Sequence, residues 1–139
     1  MSVAIDTSVL VAAMISTESH HEACDRLLNR EGLSMYAHGL AETFSTLTGG
    51  RRPFRMAPSM AASMIEEDYF PCLAITTLNP AQMLRAMRDA ESRGVRGGAL
   101  FDYLHLVTAR QAKATQLFTL NISHFRSFHR VGDPEIVHP

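Results

Sequence analysis

Short β-rich runs alternate along this chain with stretches whose apolar residues recur at helical spacing. The β-rich segment Val3–Ile5 is followed at once by Asp-Thr-Ser and a helix-compatible run over 9–15, which reads as strand, cap and helix. Ala23, Leu27 and Leu28 continue at helical spacing over 20–30, and 33–37 reads as a second strand. Leu40, Phe44 and Leu47 form one stripe on a helix that stops at Gly49-Gly50, and a basic loop follows. Pro58 opens a long helical pattern that runs to Tyr69, and 73–77 is a third strand. Pro80 starts a further helix ending before Gly94; Gly97-Gly98 precede another over 99–112. A fourth strand lies at 116–119, and Glu135–Val137 adds a fifth.

Strands alternating with helices of ten or more residues predict an α/β fold, because parallel neighbours need a crossover of about that length. The expectation is a three-layer sandwich with a central, mainly parallel sheet of four or five strands. In such sheets the ligand crevice lies at the carboxyl ends of the strands, where the returning helices also begin.

Three acids reach that edge. Asp6 ends the first strand and serves either as a helix cap or as a functional carboxylate. Glu42 stands in the first turn of its helix, about 160° from the Leu40, Phe44, Leu47 stripe, the place of an ordinary solvent-facing or dipole-favoured acid. Asp102 sits among Leu100, Phe101, Tyr103, Leu104, Leu106, Val107 and Ala109, on a helix whose apolar surround predicts burial. An unpaired buried carboxylate costs several kcal/mol, so it needs a proton, a base or a cation. Three carboxylates at one edge repel one another unless a cation sits among them, and hard oxygen ligands suit Mg²⁺ or Mn²⁺. Such a site lowers the pKa of a bound water and offsets phosphoryl charge, as a nuclease or phosphatase requires.

Composition narrows the partners. With 139 residues, 46% apolar and 19% charged, the chain suits one domain over 1–139 that needs no disulfide staple. No apolar run approaches the roughly 20 residues that span a bilayer, so a cytoplasmic protein without membrane contact is expected. Thirteen basic against fourteen acidic side chains give a net charge of −1, which excludes a general nucleic-acid coat. A polyanion would have to meet a local patch, and Arg51, Arg52 and Arg55 are the candidates for RNA contact. Cys24 and Cys72 lie outside any metal or redox pattern and read as buried thiols. The methionines read mainly as core fillers, His20-His21 as an exposed helix start and Glu66, Glu67 and Asp68 as a solvated helix end. His105, three residues after Asp102, reads as a packed or hydrogen-bonded side chain rather than a metal ligand. A phosphatase using Asp6 as nucleophile fails on spacing, since Ser8 stands two residues on in place of a second acid.

The ordered set AIDTSVLVAA, GLAETFSTLTGG and GGALFDYLHLVTARQAKATQLFTLNISHF resembles a PIN-domain ribonuclease of the VapC toxin type over essentially the whole chain. The resemblance implies a PIN-like α/β/α fold, with Asp6, Glu42 and Asp102 as catalytic, metal-binding acids. Asn121 falls at or near the family's fourth position, and Ser8 and Thr119 become auxiliary polar groups. It further implies Mg²⁺ or Mn²⁺ as cofactor, no nucleotide cofactor, RNA as substrate cut to a 5′-phosphate and a 3′-hydroxyl, a cognate antitoxin and a homodimer. Many members carry an acid where this chain has Asn121, with His124 nearby. Fewer negative charges hold a second ion less tightly, so one firmly bound ion is expected. The same departure keeps open a PIN module that binds RNA or a protein without cutting.

Overall fold

The computed structural model describes residues 2–50 and 55–139. Five short strands, β1 (Val3–Ile5), β2 (Leu33–Tyr36), β3 (Leu73–Thr76), β4 (Gln116–Phe118) and β5 (Glu135–Val137), form one sheet in the order β3-β2-β1-β4-β5. Every neighbouring pair is parallel. The helices among the described residues are α1 (Thr7–Met14), α2 (His21–Leu28), α3 (His38–Thr48), α4 (Pro58–Met64), α5 (Pro80–Asp89), α6 (Ala99–Gln111) and α7 (Ile122–Phe128). None of them is long and apolar enough to cross a membrane.

The central strands β1 and β2 are buried on both faces, and successive residues feed opposite layers. Val3 and Ile5 of β1 and Leu33 and Met35 of β2 pack with Val9, Leu10, Leu27, Leu47 and Ala61 from α1 to α4. Ala4 and Tyr36, one residue out of phase, pack with Ala86, Tyr103, Leu106, Phe125 and Phe128 from α5, α6 and α7. This two-residue alternation makes the sheet the middle of three layers. The chain travels outward from β1 through β2 to β3, then returns to the other side of β1 for β4 and β5. The carboxyl ends of β1 and β4 therefore flank the topological switch point, where connections diverge and leave a crevice.

Four local features depart from the pattern reading. The helix expected from Pro58 to Tyr69 is α-helical only to Met64; a π-helical turn (Ile65–Tyr69) and a 3₁₀ turn (Phe70–Cys72) follow. The wider turn keeps Ile65 buried and brings the Tyr69 hydroxyl to donate to the Ala13 carbonyl at 3.3 Å. Helix α7, which the pattern reading left without an element, is only two turns long and is held by the buried rings of Phe125 and Phe128. Cys24 is buried as expected, but Cys72 is exposed, because the 3₁₀ turn carries it outside the core. Met14 and Met35 fill the core, whereas Met60 and Met87 lie on outward faces of α4 and α5.

Candidate active site

Asp6 ends β1 and begins α1, and it is both the helix cap and a wall of the crevice. Its extended backbone lets Oδ1 accept the Val9 N–H at 3.2 Å, the bond that starts the helix. The Ser8 hydroxyl donates to the same oxygen at 2.6 Å, and the Thr119 hydroxyl donates to Oδ2 at 2.6 Å. Thr119 follows β4 and in turn accepts the Asn121 N–H at 2.9 Å; Ser8 accepts the Leu120 N–H at 3.0 Å. Two hydroxyls thus tie the β1–α1 junction to the β4–α7 junction through one carboxylate. Asp6 is only 2% exposed, and burial pushes its carboxyl above the ordinary range despite opposition from His105 and the three donors.

Glu42 looks into the same crevice from α3. Its Oε1 accepts from Nε2 of His105 at 3.0 Å, and that nitrogen also lies 3.3 Å from the Thr7 hydroxyl. His105 is buried, and its Nδ1 has no partner among the described residues, so the ring proton belongs on Nε2, where the carboxylate is. Burial alone would raise Glu42; the hydrogen bond from His105, the charges of His105 and His38, and Thr7 outweigh it and hold the carboxyl below its usual value. The packed, hydrogen-bonded histidine expected from the sequence is present, with Glu42 as its partner. Gly39 makes room for it, since a Cβ there would meet the His105 ring and the end of Met35.

Asp102 enters from the first turn of α6. The sequence reading placed it inside an apolar surround; its side chain is instead 30% exposed, and the neighbouring Phe101 is 47% exposed. Tyr103, Leu104 and Leu106 face the core, but the first turn of α6 overhangs the crevice, so apolar neighbours in sequence do not enclose the acid. Its Oδ2 lies 3.7 Å from Nδ1 of His124. Partial burial and repulsion from Asp6 and Glu42 raise its carboxyl, against attraction from His105 and His124.

One cavity of about 390 Å³ is lined by Asp6, Ser8, Glu42, Asp102 and Asn121, together with Thr7, Thr46 and Glu18. Glu18, from the turn between α1 and α2, is a fourth acidic residue on this wall; nothing in its local pattern separates it from a surface-loop acid. Among the described residues, no arginine or lysine lines the cavity. The donors are carboxylate and hydroxyl oxygens with an excess of negative charge, which suits Mg²⁺ or Mn²⁺. Among the described residues, however, no three acidic, histidine or cysteine side chains form a ready-made metal cage. The carboxylates share a cavity, and each is engaged with its own neighbour. Arg51 and Arg52 lie outside the described residues; Arg55 is exposed and donates through Nε to the Gly50 carbonyl at 3.1 Å, away from the cavity lining.

The PIN-domain family model matches residues 3–131. The chain belongs to the PIN-domain family. The ribonuclease VapC40 of Mycobacterium tuberculosis is 34% identical over 134 residues, 93% of each chain. The crystal structure of VapC20 from the same species, described as a Sarcin-Ricin loop cleaving toxin, superposes with a TM-score of 0.73 at 18% identity, covering 99% of this chain and all of that one. The VapBC2 structure from Rickettsia felis, bound to a DNA fragment from their promoter, gives 0.67 at 17% identity, covering 100% and 99%. This PIN domain thus keeps the family's fold at low identity, and the sheet edge that carries its acids is the switch-point edge of that fold.

Proposed function

We propose that this PIN domain is a metal-dependent endoribonuclease and the toxin half of a toxin–antitoxin pair. The observation that carries the reading is the shared cavity at the switch point, where Asp6, Glu42 and Asp102 arrive from three separate segments and, among the described residues, no basic side chain lines it. The ribonuclease relative and the toxin-named structural neighbours support the same assignment.

Asp6, Glu42 and Asp102 are the residues that would hold Mg²⁺ or Mn²⁺. A bound ion supplies Lewis-acid charge and an activated water for in-line attack on an RNA phosphodiester, leaving a 5′-phosphate and a 3′-hydroxyl. Ser8 and Thr119 fix both oxygens of Asp6 from the outer side, and His105 fixes Glu42. Asn121 lines the same wall without charge, so the site would hold one ion firmly and a second would need substrate phosphate. An antitoxin would cover the acidic crevice, and an apolar groove lined by Leu40, Phe44, Ile65 and Phe70 lies on the adjacent side of α3 for a protein partner. A homodimer and a cytoplasmic setting complete the reading.

The test is cleavage of structured RNA with Mg²⁺ or Mn²⁺, mapped at both new ends, for wild type, Asp6→Asn and Asp102→Asn. Each substitution lowers the rate by about a hundredfold or more, beyond what loss of an outer-shell partner brings. Equal rates in all three sink the site. Neutral Asn121 and the separately engaged carboxylates favour one second reading, a PIN module that binds RNA without cutting; wild type that binds RNA and leaves it intact with either metal would establish it.

A further inference from the structure

The two helices that carry Glu42 and Asp102 also present a pair of flat side chains that the chemistry above does not use. Phe101 precedes Asp102 in α6 and is 47% exposed, an unusual place for a phenyl ring in a helix that buries Tyr103, Leu104 and Leu106. His38, also exposed, opens α3 and stacks on it, with ring centroids 5.5 Å apart and planes within 19° of parallel. Glu42 stands four residues after His38, hence on the same face of α3 one turn on. The two rings therefore belong to the two helices that carry two of the three acids.

The pair is braced from below. Tyr36, buried at the carboxyl end of β2, lies 5.9 Å from the His38 ring and meets the His105 ring edge-on at 5.6 Å and 86°. His105 holds Glu42. A continuous chain of contacts thus runs from Phe101 through His38, Tyr36 and His105 to the acidic cavity. Flat, exposed π-surface fixed to a rigid base is what an unpaired nucleobase needs, since stacking asks for a plane and no hydrogen-bond partner.

We propose that Phe101 and His38 form a stacking platform for an unpaired nucleobase next to the phosphodiester presented to the acidic cavity. This rests on the ribonuclease reading for its substrate class and adds to it the requirement for a single-stranded nucleotide at that position. Among the described residues no arginine or lysine lines the cavity, and the platform supplies affinity that does not depend on phosphate charge. The base is gripped by dispersion and π-contact, which tolerates any of the four bases and sets position more than sequence.

The test is fluorescence anisotropy with fluorescein-labelled single-stranded oligouridylate and oligoadenylate, and with an abasic ribose-phosphate oligomer of equal length. Ca²⁺ replaces Mg²⁺, and strand integrity is checked on a gel. Phe101→Ala weakens binding of both base-bearing strands about tenfold, the effect of losing one stacked base, whereas Phe101→Trp restores it and Phe101→Leu does not. His38→Ala weakens binding less. The abasic oligomer binds wild type and Phe101→Ala alike. In cleavage assays with Mg²⁺ the same loss falls on KM and leaves kcat within about twofold. Equal binding of base-bearing strands by wild type and Phe101→Ala overturns the platform, as does a wild type that binds no strand. So does a Phe101→Ala protein whose only change is a lost dimer by light scattering, which would make the ring a protein contact. If wild type cleaves nothing yet shows base-dependent binding lost in Phe101→Ala, the ribonuclease reading fails and the platform stands; the reverse pattern rejects the platform alone.

Discussion

Asp6 and Glu42 carry the same functional group on two walls of one cavity, and the fold treats them oppositely. Asp6 is buried and accepts from two hydroxyls and one backbone N–H, yet its carboxyl is pushed up because burial outweighs those bonds and the attraction from His105. Glu42 is partly exposed and touches a histidine, and its carboxyl is held down. Hydrogen bonds and opposite charge both favour an ionised carboxylate, and the degree of burial decides whether they outweigh the lost water: they do at Glu42 and do not at Asp6. The wall around Asp6 is therefore a rigid, deeply buried socket, and the Glu42 wall is a more open one whose carboxylate is already balanced from within the protein.

The sharpest way to break that contrast is to remove a donor from the rigid wall. Thr119→Val deprives Asp6 Oδ2 of its donor and leaves the Asn121 N–H without an acceptor. It lowers stability by about 1–3 kcal/mol, read as a lower urea midpoint with unchanged slope, and Thr119→Ser recovers most of it.

Replacing the charge itself works the other way. Because the folded-state pKa of Asp6 is raised, its contribution to stability is fully present below the ordinary aspartate value of about 3.9 and is lost as pH rises through the folded value. In metal-free buffer Asp6→Asn, which does not titrate and can still meet the hydroxyls, melts a few degrees above wild type at neutral pH. The gap closes towards pH 4. A gap that widens in acid would refute the assignment of Asp6 as a carboxyl raised by burial.

On the more open wall the effect is smaller and falls on the ion rather than on folding. His105→Leu removes a buried ring whose Nδ1 has no described partner, so stability changes little. It frees Glu42 and lowers divalent-ion affinity about tenfold, while His105→Gln, which keeps a donor, loses less. Isothermal titration with Mg²⁺ beside urea denaturation separates the two effects.

Much of this was legible in the chain. The alternation of short β-rich segments with helices of crossover length announced a parallel sheet, and Pro58, Pro80 and Gly94 marked helix ends near where they fall. Asp6 was legible as an acid at the edge because strand and helix abut there with no loop between. Other features depend on contacts that local patterns do not encode. The Glu42–His105 bond joins residues 63 apart in sequence. Asp102 was taken as buried from the apolar circumference of α6, but that circumference describes the middle of the helix, and the acid sits where its first turn leaves the sheet. Glu18 reaches the cavity only because α1 and α2 pack against each other, and α7 was too short for its two phenylalanines to make a period.

The central claim is that Asp6, Glu42 and Asp102 act as one cation site despite their different partners. Titration calorimetry with Mn²⁺ on the metal-free protein tests it most directly. Wild type should bind one ion, and Asp6→Asn, Glu42→Gln and Asp102→Asn should each weaken that binding at least about tenfold, as loss of a shared ligand requires. An ion bound with undiminished affinity by any one of these variants would show that the three carboxylates do not form a common site.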